Sequence, residues 1–162
     1  MFCVSLRPFS NRAQLACLVA AVTFSAGASI PATAQRPKAA EEPLFTDFRG
    51  VRLGMPTDEA RKKLGSPRDK AEDQDIYLFN DNQSVQIYYD KTKTVSAISI
   101  DFMSGATGIP SAKDIVGADA DQRSDGSAYK MVRYPKAGYW VSYSRTAGNS
   151  PTITITMQKI EH

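Results

Sequence analysis

Few residues of this chain are of the kinds that carry chemistry, and their spacing limits what they can do. The only His is His162, the last residue. A chain end frays and holds no fixed geometry, so neither a Ser-His-Asp nor a Cys-His set assembles around it. Asp119, Asp121 and Asp125-Gly126 resemble part of a calcium loop. Such a loop needs oxygen ligands at alternate positions and a closing Glu. Here Arg123 stands at one ligand position and no Glu closes the run, so the stretch reads as a polar loop. Asp and Glu are plentiful, which leaves carboxylate acid–base chemistry as the one enzymatic route. A solvated surface has the same composition. The chain is therefore read as non-enzymatic, with no cofactor and no metal.

Two other groups of residues suit binding. Arg61, Lys62, Lys63, Arg68 and Lys70 concentrate positive charge. They suit contact with anionic lipid or a cell-wall polymer, or simply complement a helix end and aid solubility. Tyr88, Trp140, Ser142, Ser144, Thr152, Thr154 and Thr156 alternate with apolar positions and share one phase of a period of two. Hydroxyl-rich strands with a few aromatics suit protein recognition, because Tyr and Trp dominate interface hot spots. Thr is also a good strand former in its own right. Trp140, Tyr88, Ser142 and Thr154 are the candidate protein-binding residues. An outward Trp140 needs a cover, either the preceding tether, a loop or a partner.

The elements that must present these residues follow from periodicity. Residues 1–34 read as a signal peptide. Arg7 and Arg12 precede an uncharged apolar run, Leu15 to Ala28, and Ala32-Thr33-Ala34 supplies a small-x-small cleavage pattern. The run is shorter than the roughly 20 residues a membrane span needs. Cys3 and Cys17 both precede the expected cut, so the mature chain has no thiol for a disulfide or a cysteine metal site. Taking Arg7 and Arg12 from the 20 basic residues leaves 18 against 17 acidic. That balance provides no field for nucleic acid. Export and the absence of a lipid anchor place the mature chain in the periplasm or outside the cell. Its expected partner is another envelope or secreted protein, without stable membrane insertion after cleavage.

Residues 35–45 are charged and proline-containing and read as a flexible tether. "GMPTDEARKKLG", Gly54 to Gly65, then reads as a short helix. Either Thr57 caps it or Pro56 occupies its first turn. Ala60 and Leu64 form its buried stripe, and Gly65 ends it in a left-handed conformation. Three strands follow: Ile76 to Asn80; one with Val85, Ile87 and Tyr89 inward; and one with Ile98, Ile100 and Phe102 inward. "GIPSAKDIVG", Gly108 to Gly117, echoes the first helix, with Ser111 and Asp114 spaced as a capping box. Strands over Tyr129 to Tyr134, around Tyr139, Val141 and Tyr143, and around Ile153, Ile155 and Met157 complete the chain. The expected fold is α+β: two tandem units, residues 46–107 and 108–162, each a helix plus a three-stranded antiparallel meander. The units share one core, with the helices on one face of the sheet.

Gly54-Met55, Leu64-Gly65 with Pro67 after it, and Tyr77 and Phe79 opening a strand resemble the SmpA/OmlA family of small envelope lipoproteins. That family includes an accessory of the outer-membrane β-barrel assembly machine. The resemblance covers about half the mature chain and implies fold and compartment. Pro56 stands where the family often has Ser or Thr, and the lipobox Cys is missing. No functional residue carries over. In tandem, the layout is similar to that of the β-lactamase inhibitor protein. The resemblances imply envelope assembly or maintenance or, alternatively, inhibition of a secreted hydrolase.

Overall fold

The computed structural model describes residues 42–161. The signal peptide expected at 1–34, most of the tether, both cysteines and His162 lie outside the described residues.

Alternation of apolar and polar residues dominates the chain, and it builds one sheet. The elements are α1 (Thr57–Leu64), β1 (Asp69–Lys70), β2 (Gln74–Asn80), β3 (Gln83–Tyr89) and β4 (Val95–Phe102). They are followed by α2 (Ala112–Val116), β5 (Asp121–Gln122), β6 (Ala128–Tyr134), β7 (Tyr139–Arg145) and β8 (Ile153–Lys159). All eight strands join in the order β1-β2-β3-β4-β8-β7-β6-β5, and every pairing is antiparallel.

This corrects the expected fold. The chain does not form two units of one helix and three strands. It forms a single eight-stranded antiparallel sheet with only two short helices, of eight and five residues. The physical reason lies in the middle of the sheet. β4 and β8 pair continuously from Ala97↔Gln158 to Phe102↔Ile153. Strands so apolar on their inward side leave no edge unpaired where the two meanders meet. The helices are too short to act as a layer of their own. Two-residue strands, β1 and β5, also arise from stretches expected to be polar connections. They end the sheet in short, mostly charged edges, which discourage strand addition.

One sheet face carries the core. Val85, Ile87, Ile98, Ile100, Val141, Ile155 and Met157 are almost wholly buried on it, packed with Ala60 of α1 and with Ala112, Ile115 and Val116 of α2. The inward phases expected for β3, β4 and β8 are the ones observed. In β7, Val141 and Tyr143 are buried and Tyr139 is half-buried.

The helix ends follow local chemistry. Ser111 caps α2: its Oγ accepts from the Asp114 amide, and the Asp114 carboxylate accepts from the Ser111 amide. For α1 the cap residue is Pro56, and no side chain caps the helix. Thr57 is the first helical residue, and its hydroxyl instead donates to the Lys93 carbonyl at 3.0 Å. Gly65 and Gly117 both take positive φ, 86° and 76°, which glycine adopts without a Cβ penalty. Leu64 is only partly buried, whereas Val116 is 3 % exposed, so the two helix ends do not contribute equally to the core.

Candidate functional site

The sheet face opposite the helices is built from the other phase of each strand. Cross-strand pairing aligns its side chains in rows. One row runs Tyr88, Ala97, Gln158, Trp140, Arg133 across β3, β4, β8, β7 and β6. The next runs Ile76, Gln86, Ser99, Thr156, Ser142, Met131. A third runs Leu78, Ser84, Asp101, Thr154, Ser144, Tyr129. Bulky residues therefore stand at the two sides: Ile76, Leu78 and Tyr88 on one, Tyr129, Met131 and Trp140 on the other. Ser and Thr, with Ala97, Asp101, Gln86 and Gln158, occupy the middle. A shallow depression of about 470 Å³ lies there, lined by Tyr88, Ala97, Ser99, Thr156 and Gln158 among others.

All four residues singled out from the sequence lie on this face. Tyr88 and Trp140 share a row, with Ala97 and Gln158 between them. Thr154 sits two strand positions from Thr156, the cross-strand partner of Ser142. Ser142 departs from the expectation of an exposed hydroxyl. It points outward in phase but is 7 % exposed, as a small residue between the larger Met131 and Thr156 on the flanking strands. Trp140 and Tyr88 are half-buried. The described part of the tether gives no cover to Trp140. Phe45 packs on the core cluster, and its carbonyl accepts a hydrogen bond from Tyr139, an inward residue.

A polar network ties the face together. Gln86 Oε1 accepts from the Tyr88 hydroxyl at 2.6 Å and from Gln74 Nε2 at 3.2 Å. Gln86 Nε2 donates to Asp101 at 3.4 Å, and the Thr154 hydroxyl donates to Asp101 at 2.7 Å. Ser99 and Thr156 are in hydrogen-bond contact at 3.3 Å. These bonds hold the Tyr88 and Thr154 side chains in place on the face.

A second polar cluster was not read from the sequence and lies on the core side. Asp75 is completely buried and accepts Arg61 Nε at 2.7 Å, a second Arg61 nitrogen at 2.9 Å and the Tyr89 hydroxyl at 2.7 Å. Burial opposes the charge on Asp75, but the bonds from Arg61 and Tyr89, with the Arg61 charge, outweigh it. The carboxyl is held below its ordinary range. Burial pushes Tyr89 far upward, and burial with the neighbouring Asp75 charge raises Tyr77 to about 12. Arg61 is thereby withdrawn from the basic patch expected around the end of α1, while Lys62, Lys63, Arg68 and Lys70 are exposed. The signal for this cluster was the strand phase: Asp75, Tyr77 and Phe79 alternate inward once β2 begins at Gln74 rather than Ile76.

A cleft of about 650 Å³ lies beside this cluster between α1 and the β3–β4 turn, lined by Thr57, Asp58, Arg61, Lys70, Glu72 and Lys93 among others. Two of its cations are already paired, Lys93 with Glu72 and Arg61 with Asp75. Volume alone does not make it the functional site.

The acidic stretch read as a polar loop forms β5 and its turn into β6. Asp121 pairs with Lys130 at 3.1 Å, and Asp125 accepts the Ser127 amide and hydroxyl at 2.8 and 2.7 Å. Among the described residues, no three His, Cys, Asp or Glu side chains gather as a metal site would require. Among the same residues, no helix is long and apolar enough to cross a membrane.

Comparison of the chain with protein-family models, with characterised proteins and with solved structures finds no significant match.

Proposed function

We propose that this chain is an exported, non-enzymatic protein-binding module of the cell envelope that engages its partner through the sheet face that the described residues leave uncovered. One observation carries the reading. The core face is closed by α1, α2 and their loops, whereas the opposite face leaves Trp140, Tyr88, Tyr129, Met131, Ile76 and Leu78 around a hydroxyl-rich middle. Leu78 and Met131 are 44 % and 41 % exposed. Large apolar side chains flanking a pre-ordered polar centre are the composition of a recognition surface, with the anchors already held by cross-strand neighbours. The short edges of the sheet argue for binding across the face rather than by strand addition.

The compartment rests on the charge and apolar pattern of residues 1–34 and on the resemblance to SmpA/OmlA proteins. Crosslinking followed by pull-down from envelope extract tests the reading, with Trp140→Ala as the comparison. The wild-type chain should recover a protein that the variant loses while remaining folded. Recovery of barrel-assembly components supports an envelope role; recovery of a hydrolase turns the same surface into an inhibitory one. Equal recovery by both chains removes the sheet face from the account.

A further inference from the structure

Asp101 is the only charged side chain among the outward positions of the four central strands β3, β4, β8 and β7. The remaining outward positions there are Ser, Thr, Gln, Ala, Tyr or Trp. Asp101 is half-buried, between Ser84 and Thr154. It accepts hydrogen bonds from Thr154 and Gln86, both uncharged, and among the described residues no Lys or Arg lies within ion-pair distance. The other carboxylates at the heart of this protein are treated differently. Asp75 is matched by Arg61, and Asp90 by Lys159 at 2.8 Å.

Solvent compensates the Asp101 charge only while the face is open. A partner that covers the face removes that water, and a carboxylate buried without a counter-charge weakens the complex. The covering surface must therefore bring its own cation, or the complex is penalised at its centre.

We infer that Asp101 is the specificity-determining residue of this surface, and that the partner is a protein presenting a Lys or Arg side chain to it. The inference rests on the sheet-face reading above. The cation enters over Ser99 and Thr156, where the side chains are small. It meets the two oxygens of Asp101 already oriented by Thr154 and Gln86. Leu78 and Tyr129, at the two ends of the Asp101 row, with Ile76 and Met131 on the next row, supply the apolar contact and exclude water around the pair, which is the arrangement in which a charge-assisted bond is strongest.

The test uses the mature chain as bait for a phage-displayed library of random peptides, selected in parallel on wild type, Asp101→Asn, Ser99→Lys and Trp140→Ala. The thermal midpoint of each bait is measured first. Asp101→Asn keeps the shape of the side chain and removes only the charge. Ser99→Lys supplies a cation on the next outward position of the same strand. Wild type should select peptides enriched in Lys or Arg, and those peptides, synthesised, should bind Asp101→Asn and Ser99→Lys at least about tenfold more weakly. Peptides that need Trp140 but carry no basic residue, and bind Asp101→Asn as well as wild type, overturn the role of Asp101 and leave the sheet face standing. Basic peptides insensitive to both Asp101→Asn and Trp140→Ala overturn both. Absence of any selected peptide counts against both as well.

Discussion

Tyr88 and Trp140 stand on one cross-strand row of the open face, with Ala97 and Gln158 between them, although they are contributed by opposite halves of the chain. The link is the β4–β8 pairing. It sets two distant aromatics a fixed distance apart on a rigid support, which is how a binding surface is best presented.

The first prediction separates anchoring from packing. Trp140→Ala should weaken partner binding by about 2 kcal/mol or more while changing stability little, because its side chain lies on the face away from the core. Calorimetric titration with the recovered partner and a thermal melt of the variant check both halves. Large destabilisation with unchanged binding would make Trp140 a structural residue.

The buried pair supports a second prediction. Arg61→Leu strands the Asp75 carboxylate, which is fully enclosed, and should cost about 3 kcal/mol in urea unfolding. The double change Arg61→Leu with Asp75→Leu should cost less than the two single changes added together, since it removes both charges at once. Additive costs would show that the pair is not coupled.

Two pH limits follow from the same cluster. The Asp75 carboxyl is held below its ordinary value in the folded chain. Its contribution is present above the unfolded value near 3.8 and is lost as pH falls through the lower folded value. Tyr77 moves the other way, up to about 12. Its contribution is complete below the unfolded value of 10.0 and is lost as pH rises towards 12. Unfolding midpoints followed across both ranges should fall at each end, and Tyr77→Phe should make the alkaline fall shallower, with Tyr89 retaining part of it, while leaving the acid limb unchanged.

A continuous sheet predicts one cooperative unit. Ile100 and Ile155 face each other across the β4–β8 seam, 2 % and 1 % exposed. Ile155→Ala should cost about 2–5 kcal/mol. It should also shift a single unfolding transition, seen alike by far-ultraviolet circular dichroism and tyrosine fluorescence. Two separated transitions would contradict one shared sheet.

Much of this arrangement was legible in the sequence because a period of two leaves a strong mark. Val85, Ile87 and Tyr89 read as one inward face, and Ile98, Ile100 and Phe102 as another, and the structure buries all six. The capping box at Ser111 and Asp114 is equally local and equally readable. What escaped was non-local or too short to be periodic. Nothing in β4 or β8 announces that Ile100 meets Ile155, because pairing across such a distance depends on the whole core rather than on a motif. The two residues of β1 and of β5 cannot show alternation. Asp75 was passed over because a charged residue at a strand start looks like the end of a loop, and its partner Arg61 lies on a helix whose cationic end has an adequate local explanation. Asp101 falls outward because it alternates with the inward Ile100 and Phe102, but its isolation as a charge emerges only when four strands are set side by side.

The central claim is that the partner lies across the open face. It is tested most directly by placing a photo-crosslinking benzoylphenylalanine at Thr156, in the middle of that face, or at Lys62, exposed on α1, in the full chain expressed in cells. Irradiation should give a crosslinked protein adduct from position 156 and none from position 62. An adduct from position 62 with none from position 156 would place the partner on the helix side and contradict the account.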